Sequence, residues 1–315
     1  MTSGCLFDKD YEEFSLEEIE KHIIGIKSDS ASNPILNPSI PLMEDERLVR
    51  IYSHLIGDGF GGGKYNRKTG GNFYANPAYT NTSLKLIDNF VKDLEVFGKV
   101  PYDKRDYGTY YKVIVPFVIK YLLEYVYGCE ISASRGGLPK RFFELTHRLK
   151  FEIIRSFCDD EGTLRDNSIV ISSGNKKQLK DLRIIMISVG FNKKNVLNVK
   201  KRKNNLFVLE FSNENFLNFG KNIKFFHPEK QKIMNFQIKR HATIKRMKPG
   251  ESRRKIMDLL KIKPYASIEL AMKLNISHNT TGQILRQLIN ANRIKRYRIP
   301  GKNKFEYKLT SESNN

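Results

Sequence analysis

The chain has 315 residues, enough for two or three domains of ordinary size, and its 55 Lys and Arg against 34 Asp and Glu give a formal charge of +21. That balance favours a polyanionic partner, nucleic acid first, and 20 Phe with 15 Tyr are ample for real cores. No apolar run reaches the roughly 20 residues that cross a bilayer, the N-terminus lacks the basic-then-apolar order of a secretory signal, and Cys5, Cys129 and Cys158 form no CxxC pair, which argues against a zinc ribbon or disulfide scaffold and fits a reducing cytoplasm.

Residues 1–44 read as an accessory segment. Ser15-Leu-Glu-Glu18 has capping-box spacing and predicts a short helix through about Lys27. The Ser-, Asn- and Pro-containing stretch 28–41 reads as a linker, a disordered tail being the alternative for the whole segment. A first unit then covers 45–131. Leu48, Ile51, Leu55 and Ile56 recur at helical spacing, and the run stops at Gly57-Asp58-Gly59. A glycine just past a helix commonly takes the left-handed cap conformation. Asp58 would then add its charge to the negative end of the helix macrodipole, so a positive group is expected nearby. His54, inside this helix, reads as packed or polar-lined. Residues 60–82 predict two strands about a Gly70-Gly71 turn. An amphipathic helix over 83–97, a hairpin over 100–115 and a helix over 116–127 follow, and 132–139 is a short link.

The second unit, 140–241, repeats this order. Leu149–Gly162 is again an apolar helical run, ending in Asp159, Asp160 and Glu161 before its glycine. Aligned on Gly59 and Gly162, Asp58 meets Glu161, Ser53 meets Ser156 and Ile51 meets Ile154. A small residue at the same place in each helix allows a close crossing that would bring the acids together. Three carboxylates at one helix end repel one another, and a divalent cation would neutralise them. Strands near 163–173, a helix over 176–189, strands over 196–211 and helices to about residue 241 complete the unit.

On these motifs the chain resembles the LAGLIDADG homing endonucleases in their single-chain, two-motif form. The resemblance covers roughly 40–240 and includes His227-Pro-Glu-Lys230, which is similar to the end of the family's second repeat. It implies an α+β fold with two pseudo-symmetric repeats forming a saddle-shaped sheet surface. It also implies that Asp58 and Glu161 bind Mg²⁺, or another divalent cation, and that one polypeptide, acting as a monomer, cuts both strands of duplex DNA. Asp160 precedes the motif acid and could instead cap the helix or face solvent. Family members often place a lysine near the site, and Lys112 is the candidate here. The bond-breaking chemistry needs a positioned water and neutralisation of charge on the attacking and leaving oxygens.

Two strand regions carry donors suited to a major groove: Lys64, Asn66, Arg67, Lys68 and Tyr74 in the first unit, and Lys200, Lys201, Arg202 and Lys203 in the second. From Gly250 the composition changes, with 14 Lys and Arg against 4 Asp and Glu through residue 310. Helices over 252–261 and 267–274, the latter capped by Ser267, a turn at 275–277 and a helix over 279–291 precede a hairpin wing at 300–304. This resembles a winged helix-turn-helix domain over 250–312. Its recognition helix would present Asn279, Thr280, Gln283 and Arg286, and its wing Lys302 and Lys304. The competing reading is a DNA-binding regulator on a retired nuclease scaffold, or an RNA-binding maturase. Such regulators tend to have lost the motif acids, whereas this chain keeps one in each copy. A start Met and the lack of a closing His-Asn pair point away from an intact intein.

Overall fold

The structure, a computed structural model, describes residues 23–27, 34–66, 72–131, 136–202, 205–242, 250–299 and 305–310. A short ribbon of β1 (Gly25–Ile26) and β2 (Ile35–Leu36) comes first. The helix expected over 15–27 therefore does not extend to its end: residues 23–27 are not helical, and residues up to 22 lie outside the described chain. The capping-box cue is local. Ile35, paired with Ile26, is fully buried in the main core, and that tertiary contact decides.

The first repeat runs α1 (Glu46–Ile56), β3 (Gly59–Phe60), β4 (Gly63–Asn66), β5 (Asn72–Ala75), β6 (Ala78–Asn81), α2 (Leu84–Asp93), β7 (Asp103–Asp106), β8 (Tyr111–Ile114) and α3 (Val118–Tyr127). The second runs α4 (His147–Glu161), β9 (Gly162–Arg165), β10 (Ser168–Ser173), α5 (Lys176–Ser188), β11 (Lys200–Lys201), β12 (Phe207–Ser212), α6 (Glu214–Asn218) and α7 (Pro228–Ala242). Each repeat builds a four-stranded antiparallel sheet, ordered β3-β6-β8-β7 in the first and β9-β10-β12-β11 in the second. Counted from its motif helix, each sheet uses its strands in the same order, so the fold is α+β with one topology used twice. The β4–β5 ribbon is extra. Residues 60–82 thus take part in four strands rather than two, because β3 and β6 belong to the main sheet and only β4 and β5 flank the expected turn. The turn itself lies outside the described residues.

Helices α1 and α4 pack on each other, and one continuous core runs through both repeats. The matched Ile51 and Ile154 are fully buried, and so are Ser53 and Ser156. Neither serine hydroxyl has a hydrogen-bond partner among the described residues. Small size, then, is what these positions require. An unsatisfied buried hydroxyl costs about 1–3 kcal/mol, so Ser53→Ala or Ser156→Ala should raise the melting temperature, whereas Leu at either place should lower it. Thermal unfolding of the four variants checks this.

A buried ionic cluster joins the repeats. Arg50 of α1 donates to Asp93 at 2.7 Å and to Glu152 of α4 at 3.1 Å. Arg155 pairs with Glu152 and donates to the Ile223 carbonyl. Both guanidinium groups lie over the Phe226 ring, at 5.6 and 4.4 Å from its centroid.

The last unit has its own core, centred on Ile256, Leu270, Leu285 and Leu288. It comprises α8 (Glu251–Ile262), β13 (Tyr265–Ala266), α9 (Ser267–Leu274), α10 (His278–Asn290), β14 (Ile294–Arg298) and β15 (Phe305–Leu309), with sheet order β13-β15-β14. Ser267 does not cap α9. Ala266 takes the cap position, and Glu269 accepts from its N–H at 3.1 Å. The turn after α9 uses Asn275 at φ 51°, one of the few residues besides glycine that adopt left-handed geometry readily. Ser277 caps α10, accepting from Thr280 N–H at 2.8 Å. The N–H groups of His278 and Asn279 donate to the Asp166 carboxylate in the β9–β10 turn, at 2.7 and 3.2 Å. No helix among the described residues is long and apolar enough to cross a membrane.

Candidate active site

Both motif helices end where the chain folds back over its last helical turn. A Cβ on Gly59 would strike the backbone of His54 and Leu55, and one on Gly162 would strike that of Cys158. These glycines provide space for close approach. So does Gly57: its φ of −84° is not the expected left-handed cap, and a Cβ there would lie 2.9 Å from Asp160 Oδ2.

That space admits a carboxylate from the other repeat. Asp160, its side chain fully buried, reaches across to three first-repeat side chains. Its Oδ2 meets His54 Nδ1 at 2.8 Å, and its Oδ1 accepts from the Tyr79 hydroxyl at 2.6 Å and from Asn81 Nδ2 at 3.4 Å. Burial alone would lower the His54 pKa, but Asp160 beside it holds it above the ordinary value. Asn81 Nδ2 also donates to Asp58 Oδ2 at 3.2 Å, so one amide bridges acids from the two repeats. Asp160 thus neither caps its helix with its side chain nor faces solvent.

Asp58 and Glu161, by contrast, are half-buried. Burial, then the charges of Asp160 and Glu161, push the Asp58 carboxyl up to about 8, against the pull of Lys230 and His54. Burial and Asp160 push Glu161 up to about 7, with Lys230 opposing. Both acids are therefore poorly compensated by the protein itself. Acids whose folded pKa lies above the unfolded value near 4 bind more protons in the native state. Stability then falls as pH rises from about 4 to 8 and levels beyond. We expect the metal-free chain to melt at a lower temperature at pH 8 than at pH 5.5, and Asp58→Asn to flatten this dependence. Calorimetry across that range measures it.

The expected positive group is Lys230. Its Nζ donates to the carbonyls of Cys158, Asp159 and Asp160 at 3.0, 2.5 and 3.5 Å, closing the C-terminal end of α4. Asp159 accepts from the Phe226 and His227 N–H groups at 3.1 and 2.9 Å, which fastens the turn leading to Lys230. Burial holds the Lys230 pKa below its ordinary value, against the pull of Asp159 and Asp160. Lys112, the lysine expected near the site, is not the group that closes α4. It lies on β8 opposite Thr80, which is on the cleft wall, and is not itself among the wall residues. The signal that could have found Lys230 is the His227-Pro-Glu-Lys230 stretch itself, whose proline opens α7.

A cleft of about 510 Å³ lies at these residues, its wall including Asp58, Asn81, Tyr110, Asp160, His227 and Lys230. Glu161 is not among its wall residues. Among the described residues no group of three or more His, Cys, Asp or Glu side chains is arranged to hold a metal ion. The donor set nevertheless fits Mg²⁺ of the kind held by one or two carboxylates, with substrate oxygens and water completing the shell. Two acids whose ionisation is opposed by burial and by the Asp160 carboxylate are the chemistry such a cation relieves.

The expected nucleic-acid contacts fall in three places. Lys64 and Asn66 lie on β4, opposite Tyr74 and Asn72 of β5; Arg67 and Lys68 are outside the described residues. Lys200 and Lys201 form the exposed edge strand β11, Arg202 follows it, and Lys203 is outside the described residues. Asn279, Thr280, Gln283 and Arg286 are exposed on α10, while Lys302 and Lys304 are outside the described residues. Composition could not show that the α10 N-terminus is held by Asp166.

No protein-family model matches the chain, and no curated protein matches it either. Among solved structures it is similar to I-DmoI in complex with DNA and Mn, at 17% identity and a TM-score of 0.44, over 56% of this chain and 96% of that one. It is also similar to full-length DUF199/WhiA from Thermatoga maritima, at 11% identity and a TM-score of 0.41, over 79% and 92%. The N-terminal LAGLIDADG domain of DUF199/WhiA is a third such structure, at 12% identity and a TM-score of 0.38, over 57% and 84%. Likenesses at this level carry no argument about activity.

Proposed function

We propose that the chain is a divalent-metal-dependent DNA endonuclease that cuts both strands at a specific site. The observation that carries this reading is the convergence of Asp58, Asp159 and Asp160 on one cleft beside Lys230, with Glu161 near enough to raise the Asp58 pKa. Asp58 and Glu161 would hold the metal, because Asp160 is already tied to His54, Tyr79 and Asn81. Mg²⁺, when bound, supplies charge neutralisation on the scissile phosphate and an acidified water. The chain's own residues set the stage. Asn81 holds Asp58 against Asp160, and Lys230 holds the end of α4 and brings a cation to the cleft.

The strand surfaces would select sequence, and the C-terminal unit, read as a winged helix-turn-helix domain, would add affinity through α10. Deleting 250–315 should weaken binding and flatten its salt dependence, since each neutralised phosphate contributes about −0.9 to the log–log slope. A salt series on full-length and truncated protein checks this; identical slopes would assign that unit to another partner.

Incubation with a randomised plasmid library and Mg²⁺ tests the function. The expected result is linear plasmids sharing one cut sequence, and none with chelator. Binding without cleavage of any sequence would favour the regulator reading instead.

A further inference from the structure

The cleft, about 510 Å³ and open to solvent on one side, is larger than two carboxylates and a cation need. One wall is aromatic. Tyr110 stands at the tip of the β7–β8 hairpin, where its ring stacks on Tyr107 at 4.8 Å between centroids and 18° between planes. The tip is rigidly built: Tyr107 N–H donates to the Tyr110 carbonyl at 2.9 Å, and Gly108 N–H donates to Asp106 Oδ1 at 2.7 Å. Gly108, at φ 75°, permits the tight reversal. Both tyrosines are exposed, an unusual place for two stacked rings unless something covers them. Thr80 and Thr82 line the same cleft and offer hydroxyl groups, on either side of the Asn81 that bridges the acids.

We infer that this cleft takes a nucleobase turned out of the helical stack, with the Tyr107–Tyr110 pair as its stacking platform. The inference rests on the DNA-cleaving reading above and adds to it the form of the substrate: a duplex with one base extruded next to the acids. Aromatic rings stack on any base face, and the Thr80 and Thr82 hydroxyls can pair with a base edge. An extruded base costs least where pairing is already broken, so the cleft favours an unpaired base. Lys104 and Arg105 on β7 flank the hairpin tip, exposed and ion-paired to Asp88 and Asp103, and would exchange those carboxylates for the adjoining backbone phosphates.

The probe is a duplex of about 30 base pairs, three helical turns, carrying 2-aminopurine either fully paired or as a single unpaired bulge. Binding to the full chain is measured with chelator present, so that no cleavage intervenes. The bulged duplex should bind about ten-fold tighter than the paired one, with its fluorescence quenched by stacking. Tyr110→Phe should keep both effects, and Tyr110→Leu should lose both while still binding the paired duplex. Equal affinity for the two duplexes, or a preference that survives Tyr110→Leu, would overturn the inference. A chain that shows this preference yet never linearises plasmid would refute the nuclease reading alone.

Discussion

Asp58→Asn and Glu161→Gln should each abolish double-strand cleavage, lowering the rate by about 10³-fold or more, while DNA binding is kept or slightly strengthened. Loss of a metal-held charge stabilisation worth several kcal/mol accounts for a fall of that size. Binding improves because removing a negative charge eases the approach of phosphates. A control is built into the site. Asp58 is held up to about 8 by burial and by Asp160 and Glu161, so its ionised form destabilises the metal-free chain. The inactive Asp58→Asn protein should be more stable than the parent at pH 8, and loss of activity could not then be blamed on misfolding. Single-turnover cleavage, a binding titration and calorimetry on the same preparations read all three. Parental cutting rates in both variants would remove the acids from the mechanism.

Arg50→Leu should cause the largest loss of stability. It leaves the Asp93 carboxylate, which is 7% exposed, without the guanidinium that holds it at 2.7 Å, and deprives Glu152 of one of its two arginines. Breaking a buried pair by removing one partner costs about 3–5 kcal/mol. The urea midpoint should drop accordingly with the slope unchanged. Arg50→Leu combined with Asp93→Leu should recover part of this loss, because the unpaired charge is then gone. A fall below 1 kcal/mol, about the value of an exposed pair, would mean that water reaches the cluster.

How far the sequence makes this legible differs from residue to residue. The motif helices are legible because apolar spacing and a terminal glycine are local signals, and the matched Ser53 and Ser156 follow from aligning the two copies. The partners of Asp160 are not. His54 reads along the chain only as an interior histidine of its helix, and nothing in its neighbours announces a carboxylate arriving from the other motif helix. The same holds for Tyr79 and Asn81, which meet Asp160 only because β6 pairs beside β3 at the end of α1. Lys112 sits on a strand of the first repeat with no spacing that ties it to the acids. Lys230 reaches them through a turn fastened by Asp159, a tertiary contact that spacing does not encode. Gly57 suggests backbone freedom, yet what it supplies is room for a carboxylate.

The most direct measurement is anomalous diffraction from crystals of the chain grown with a DNA duplex and Mn²⁺. The account predicts a metal peak about 2 Å from carboxylate oxygens of both Asp58 and Glu161, beside a backbone phosphate. A peak bound to neither acid, or metal held only at sites away from the Asn81–Lys230 cleft, would contradict it.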